Sequence, residues 1–140
     1  MCELIKKHEG LRLQAYLCPK GYWTIGYGNR FHLDGSPVKE GDEITKEKAE
    51  ILLNDYLIKE VYPVIDGMGI QFTPKQKDAL ACLIYNWNAK GFRNSKLYQA
   101  IKKRDWASVC REWDYGFKNN LLGLFKRRTE ELALFMADAK

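Results

Sequence analysis

Residues that bind metals or build disulfide frameworks are scarce in this sequence. Its 140 residues include two histidines and four cysteines, and the cysteines form no CxxC pair and no paired Cys/His spacing. A zinc site needs about four ligands arranged in local pairs, so we expect no metal and no cofactor. Cys82 and Cys110 lie in apolar helical stretches, which predicts that both are buried free thiols.

Long apolar runs and targeting segments are also lacking. No apolar run approaches the roughly 20 residues that span a bilayer, and the N-terminus has no charged start, long apolar core or small-residue cleavage site. We therefore expect no stable membrane insertion, and a chain that stays, as written, in the cytoplasm of the cell that makes it. Hydrophobic residues are 46% and charged residues 29% of the chain, which fits one globular domain and argues against disorder.

Positive charge outweighs negative charge. The chain has 23 Lys and Arg against 18 Asp and Glu, for a net charge of +5, and basic clusters occur at residues 102–104 (KKR) and 126–128 (KRR). Such a balance favours a polyanionic partner: nucleic acid, an anionic membrane surface, or the acidic polymers of a bacterial wall. A solvated basic helix face explains either cluster equally well.

The first 44 residues predict a short helix followed by a small sheet. Residues 2–9 have an amphipathic helical pattern that ends at Gly10. Residues 13–31 read as strands around turn signals, and the DG pair within residues 32–37 is a strong hairpin signal. We therefore expect a two- or three-stranded antiparallel sheet.

From Thr45 onward the apolar period becomes helical. A helix capped by Thr45 is predicted over residues 46–62, up to Pro63. Thr73 and Gln76 form a capping-box pattern that opens the most apolar helix of the chain. Three further helices are predicted: one capped by Ser95, one capped by Asp105, and one over residues 124–138.

Glu9 is the strongest catalytic candidate on chemistry alone. It ends the first helix, and the glycine after it lets backbone or substrate approach closely. A carboxyl partly buried beside aromatic residues holds its proton towards neutrality and can act as a general acid. A surface glutamate is the commoner explanation of such a position. Cys18 and Thr24 follow in strand and turn, and neither histidine has a spacing that matches a Cys–His protease signature.

These residues are more specific together than singly. Glu9, then Cys18 nine positions later, then Thr24 six further on, lie within EGxxxxAYxCxxGxxTIGYG, which resembles the phage-type lysozymes, the endolysins of tailed phages and their relatives. The resemblance continues through Tyr85-Asn86 and through GLxxRRxxE at residues 123–131. Matches run from residue 3 to about residue 135.

The resemblance implies an α+β, lysozyme-like, two-lobed fold in a single domain over residues 1–140. A small antiparallel sheet lobe is expected at about residues 10–44, and a long connecting helix at about 45–63. A larger helical lobe is expected at about 64–140, together with the N-terminal helix. The cleft would lie between the lobes.

The resemblance also implies roles in cleaving the β-1,4 bond between N-acetylmuramic acid and N-acetylglucosamine. Glu9 would protonate the glycosidic oxygen, Cys18 would orient or activate the attacking water, and Thr24 would hold that water on the opposite sugar face, the inverting geometry. Arg127 matches the family arginine that pairs with the catalytic glutamate. Tyr16 is expected to be mainly packing. Weaker expectations assign substrate contacts to three residues: Asn29, Asn86 and Phe92.

The implied partner is bacterial peptidoglycan, with no nucleic acid, no cofactor and a monomeric chain. The family's usual arrangement adds a holin, a membrane-lesion protein that releases the enzyme from the host cytoplasm to the wall. The resulting activity would be host cell lysis.

Two departures from the family pattern bear on the mechanism. Cys18 stands where many relatives have aspartate, and an ordinary thiol with a pKa near 8.5 is a poor base at neutral pH. Asn29 stands where relatives commonly have histidine. Three alternatives therefore remain: a non-catalytic wall-binding relative, a lytic transglycosylase that uses no water, and a nucleic-acid binder resting on the basic clusters alone.

Overall fold

The computed structural model describes residues 3–113 and 122–138, with the backbone alone for residues 122–125. Its contacts form two compact units, one of residues 5–59 and one of residues 60–140 with residues 1–4. A small antiparallel sheet combined with many helices confirms the predicted α+β class. No helix in the described ranges is long and apolar enough to cross a membrane.

The unit of residues 5–59 contains a hairpin and a long helix. Most of α1 (Glu3–Glu9) belongs to it, followed by β1 (Arg12–Leu17), β2 (Trp23–Gly26) and α2 (Lys46–Tyr56). The first helix was predicted from Cys2, which lies outside the described residues. The prediction placed this helix with the helical lobe, whereas its contacts from Ile5 onward lie with the sheet.

The sheet has two strands among the described residues, within the predicted two or three. Tyr16 lies opposite Thr24 and Leu17 opposite Trp23, with a register shift between Arg12 and Tyr16. A third strand does not form, because the chain turns back immediately after β2. Ile25 and Asn29 exchange two backbone hydrogen bonds, both of 2.9 Å.

The core of this unit joins the inner side of the hairpin to α2. Ile25, Val38 and Leu52 are buried together, and Trp23 and Ile44 pack against them. The predicted cap is confirmed, because the Thr45 side chain accepts a hydrogen bond of 3.1 Å from the Lys48 N–H. Burial of this apolar cluster fixes the hairpin against the helix.

The long helix predicted over residues 46–62 is not regular. It is α-helical to Tyr56, widens into a π-helical turn at Leu57–Val61, and continues as α3 (Tyr62–Asp66). The cause lies at Pro63, which has no N–H to donate to the carbonyl four residues earlier and crowds that carbonyl with its ring. A wider turn before the proline accommodates both constraints.

The unit that begins at residue 60 is helical, as predicted. The α4 helix is buried on every side from Ala79 to Ile84, which makes it the centre of this unit. Its capping box is confirmed, with Thr73 and Gln76 exchanging hydrogen bonds of 3.1 and 3.2 Å. The described helices after α3 are α4 (Pro74–Asn86), α5 (Ala89–Arg93), α6 (Lys96–Lys102), α7 (Trp106–Trp113) and α8 (Leu122–Met136).

Side-chain caps set the starts of the short helices. Ser95 caps α6 and Asp105 caps α7, which confirms both predictions. The α5 helix was not predicted. It forms because Asn88 caps it, with Asn88 Oδ1 accepting a 2.6 Å hydrogen bond from the Gly91 N–H.

Candidate active site

Glu9 is the last residue of α1 and is half-buried. The helix ends there because Gly10 adopts φ 71°, in the left-handed region, and its N–H donates to the Lys6 carbonyl at 3.0 Å. This is the usual glycine termination of a helix. The carboxyl is therefore held at a fixed helix end.

An ion pair anchors the last turn of α1 to α2. Lys6 Nζ lies 2.6 Å from Glu50 Oε2, and the Tyr27 hydroxyl donates to Glu50 Oε1 at 3.2 Å. The Lys6 ammonium, followed by the Tyr27 hydroxyl, holds the pKa of the Glu50 carboxyl below its usual range. Because Lys6 lies three residues before Glu9, this contact fixes the helix end that carries the candidate acid.

The hairpin places three polar side chains on one of its faces. Tyr16 and Thr24 are directly opposite each other across the strands, and Cys18 lies two residues beyond Tyr16. Side chains two apart on an extended strand point to the same face. The Cys18 turn is closed by a 2.9 Å hydrogen bond from the Cys18 N–H to the Tyr22 carbonyl.

Cys18 is not an ordinary thiol in this turn. Its pKa is lowered, chiefly by the backbone hydrogen bond from Tyr22, with further contributions from the Lys20 N–H, the Thr24 hydroxyl and the positive charge of Arg30. Burial acts in the opposite direction. The thiolate is therefore more accessible at neutral pH than the residue type suggests. Thr24 is buried, and its hydroxyl also donates to the Tyr22 carbonyl at 3.0 Å.

The Tyr16 side chain is influenced by both Glu9 and Cys18. The pKa of this half-buried phenol is raised by burial first, then by the charge of Glu9, with a smaller contribution from Cys18, while Arg12 opposes them. The Arg12 guanidinium lies 4.8 Å from the ring centroid. Glu9 and Cys18 thus act on the same hydroxyl, which packing alone does not predict. The signal in the sequence was the two-residue spacing of Tyr16 and Cys18.

Asn29 and Phe92 are buried, and their predicted substrate contacts stay predictions. Asn29 is tied to Ile25 through the backbone, and its side-chain Oδ1 has no hydrogen-bond partner among the described residues. Phe92 is 0% exposed and packs edge-on against Trp87 and Tyr98. Because both side chains are buried, the proposed site does not rely on them.

Asn86 is exposed but held in place by a buried charge network. The Arg128 guanidinium donates to Asn86 Oδ1 and to Glu131. Arg127 Nε donates to Glu131 at 3.3 Å, and its Nη2 donates to the Cys82 carbonyl at 3.0 Å. Glu131 is 0% exposed. The predicted pairing of Arg127 with Glu9 stays a prediction, as does the predicted cleft.

The remaining cysteines and a surface groove carry no predicted role. Cys82 is a buried free thiol, as predicted, and burial raises its pKa, whereas Cys110 is only half-buried. A groove of about 400 Å³ includes none of the predicted site residues and is lined in part by His32, Asp42 and Lys48. Within the described ranges, no three His, Cys, Asp or Glu side chains are grouped to hold a metal ion.

Comparison with known proteins agrees with this arrangement at the level of fold. The endolysin from Escherichia coli O157:H7 phage FAHEc1 is similar with a TM-score of 0.86 and 27% identity, over 96% of this chain and 89% of that one. The fold and the hairpin motif therefore define a lysozyme-like protein.

Sequence comparison identifies the family. The phage lysozyme family model matches residues 6–131. The endolysin of Acyrthosiphon pisum secondary endosymbiont phage 1 is 35% identical over 94% of this chain and 92% of that relative. The endolysin of Bacillus phage B103 is 34% identical over 95% of this chain, which spans about half of that relative's length (51%). The chain belongs to the phage lysozyme family, and it is an enzyme of the lysozyme class, a peptidoglycan hydrolase.

Proposed function

We propose that this chain cleaves the β-1,4 bond between N-acetylmuramic acid and N-acetylglucosamine by inverting hydrolysis, with Glu9 as general acid. The observation that carries the proposal is the family match over residues 6–131 together with the hairpin register, which puts Thr24 opposite Tyr16 with Cys18 two residues further on. The charge of Glu9 also raises the pKa of the Tyr16 phenol, in support of this grouping. Inverting hydrolysis requires a general acid on one side of the glycosidic bond and groups that hold a water on the other side.

In the proposed step, the Glu9 carboxyl gives its proton to the glycosidic oxygen as the bond to the muramic acid C1 breaks. A water held by the Thr24 hydroxyl attacks C1 from the opposite face. Its proton passes to the Cys18 thiolate, which the lowered pKa makes available. The thiol thus takes the role that aspartate has in many relatives.

Substitution of the proposed acid tests this function. Glu9→Gln keeps the shape but not the proton, and we expect the release of reducing ends from purified peptidoglycan to fall at least about 100-fold. Glu40→Gln, an exposed glutamate of the same unit, is the matched control and should leave the rate unchanged. Retained activity in Glu9→Gln would exclude Glu9 as the acid, and no activity in the unsubstituted chain would favour the wall-binding alternative.

Access to the wall is a second part of the proposal. We propose that the chain acts as a monomer and reaches the wall from the host cytoplasm through a holin-type lesion, the family's usual arrangement. Expression alone should then leave a culture intact, and co-expression of a membrane-lesion protein should clear it. Rapid lysis without any lesion protein would contradict this route.

A further inference from the structure

Positive charge is concentrated in one short segment of the helical unit. Residues 90–111, here called the basic segment, contain seven cations and a single acid, Asp105, an excess of six. Because the whole chain has a net charge of +5, the rest of it sums to −1. The seven cations are Lys90, Arg93, Lys96, Lys102, Lys103, Arg104 and Arg111.

These cations are exposed and are not neutralised by ion pairs with other described residues. All seven are exposed, and within the ranges that the structure describes none forms a salt bridge of 4.0 Å or less. Some cations elsewhere do form such pairs, with Lys6 on Glu50, Lys59 on Asp55 and both arginines of α8 on Glu131. Asp105 is the single acid among these cations, which outnumber it by six, so they repel one another and the segment attracts an external polyanion.

The backbone at Arg104 adds an independent observation. Arg104 follows the end of α6 with φ 57°, and it is the sole non-glycine residue with positive φ among those described. Its N–H donates to the Ile101 carbonyl at 3.0 Å, and the next N–H, of Asp105, reaches the Ala100 carbonyl at 3.0 Å. Helices that end this way usually have glycine at this position. Here an arginine occupies that position although a positive φ disfavours residues other than glycine. Its guanidinium follows directly after Lys102 and Lys103.

The side chains around these cations indicate which kind of polyanion the basic segment would bind. Every exposed large hydrophobic residue of the described chain lies at or before Ile58, so the basic segment has no apolar side chains to insert into a bilayer. Its two half-buried rings are already engaged, because Tyr98 lies under Lys102 Nζ at 5.5 Å and Trp106 packs against Phe135 at 5.7 Å, which disfavours stacking of nucleic-acid bases. Lysine and arginine alone suit a chain of phosphate charges without bases or tails.

We propose that the basic segment docks a phosphodiester polymer of the bacterial wall and retains the enzyme on the surface it cuts. The inference rests on the proposed function, because that function brings the chain to the wall. The surface acts through long-range attraction, which falls off over about 10 Å at 0.1 M salt. Binding by this surface is therefore expected to weaken steeply as salt rises.

Two triple variants with the same change in net charge test the surface. Arg93→Gln, Lys96→Gln and Lys103→Gln halve the excess charge of the basic segment from six to three. Lys46→Gln, Lys48→Gln and Lys75→Gln remove three exposed lysines elsewhere. The readout is cosedimentation with purified sacculi over a range of salt. The slope of log affinity against log salt should fall by about 2 to 3 in the first variant and stay near that of the unsubstituted chain in the second.

The source of the anion is tested with the same sacculi after acid extraction of their phosphodiester polymers. Extraction should abolish the difference between the two variants. Unchanged retention on extracted sacculi would overturn the proposal in favour of peptidoglycan carboxylates. Soluble poly(glycerol phosphate) should also compete better than double-stranded DNA or phosphatidylglycerol vesicles at equal phosphate, and the reverse order would overturn it.

A separate variant distinguishes docking from folding. Arg104→Gly suits the left-handed backbone, so it should leave the thermal midpoint unchanged or raise it, yet weaken sedimentation with untreated sacculi. Unweakened binding would count against the proposal. Release of reducing ends from extracted sacculi should be equal in all variants. If no variant releases any, the proposed function fails while the docking result stands on its own.

Discussion

At the scale of single residues, the state of the Cys18 thiol is the most direct consequence of the geometry. The Thr24 hydroxyl is one of the groups that lower its pKa. Thr24→Val removes that hydroxyl at similar size, so the pKa of Cys18 should rise. The measurement is the rate of iodoacetamide alkylation against pH, in a background where Cys2 and Cys110 are serine.

In the unsubstituted chain the alkylation midpoint should lie below the ordinary thiol value of about 8.5, and Thr24→Val should move it upward. Thr45→Val, which removes a hydroxyl on the same unit but away from Cys18, is the control. A midpoint that Thr24→Val leaves in place would contradict the contact.

The sequence could predict which residues to examine but not all of their environments. Glu9, Cys18 and Thr24 were predicted from a spaced motif, which can be recognised in one sequence without any structure. The burial of Asn29 and Phe92 could not be found this way, because it arises from packing between segments that are distant along the chain. The electrostatic role of Tyr16 likewise needs the fold, since it depends on a helix end meeting a strand.

At the scale of elements, the pairing of Lys6 with Glu50 should stabilise the unit of residues 5–59. The pKa of Glu50 is depressed in the folded chain, so its contribution is present above the unfolded value of about 4.3 and is lost as pH falls through the folded pKa. Glu50→Gln should therefore lower the free energy of unfolding at pH 7 by about 0.5–1 kcal/mol. Urea denaturation at pH 7 and pH 3 measures it.

The difference between Glu50→Gln and the unsubstituted chain should shrink from pH 7 to pH 3, because the native carboxyl takes up a proton as the pH falls through its lowered pKa. Glu40→Gln should show no loss at either pH. An equal loss at both pH values would mean that packing, and not the ion pair, holds the helix end.

The α8 helix depends on its buried carboxylate. Glu131 receives both Arg127 and Arg128, and also the Trp113 Nε1–H at 3.3 Å. Glu131→Gln removes the buried carboxylate that both guanidinium groups share, which should cost about 3–5 kcal/mol of unfolding free energy. Urea midpoints measure the loss, with Glu112→Gln of α7 as control. A cost below 1 kcal/mol would show that the arginines find other partners.

Element boundaries were predictable where a cap or a breaker acts locally. Thr45, Thr73, Ser95 and Asp105 each begin a helix as predicted, because their side chains bond N–H groups two or three residues away. The π-helical turn before Pro63 was not predicted. A proline ends a helix in most sequences, and whether the chain instead widens and continues depends on tertiary packing that no local pattern records.

At the scale of the whole molecule, the excess positive charge and the candidate catalytic residues lie in different units of the chain. The candidate catalytic residues belong to residues 5–59, and the basic segment belongs to the helical unit. The sequence revealed one cluster of the basic segment, at residues 102–104, but a solvated basic helix face explained that cluster equally well. The folded chain shows that these cations are exposed and form no salt bridge with any residue that the structure describes, and the sedimentation of the two triple variants with sacculi decides between the two interpretations.

The most direct test of the central claim is product analysis of peptidoglycan digested in water enriched in oxygen-18. Inverting hydrolysis predicts one labelled oxygen at C1 of each new N-acetylmuramic acid end, first formed as the α-anomer in proton NMR, and no product with Glu9→Gln. An unlabelled anhydro end, or a labelled product that forms equally with Glu9→Gln, would contradict it.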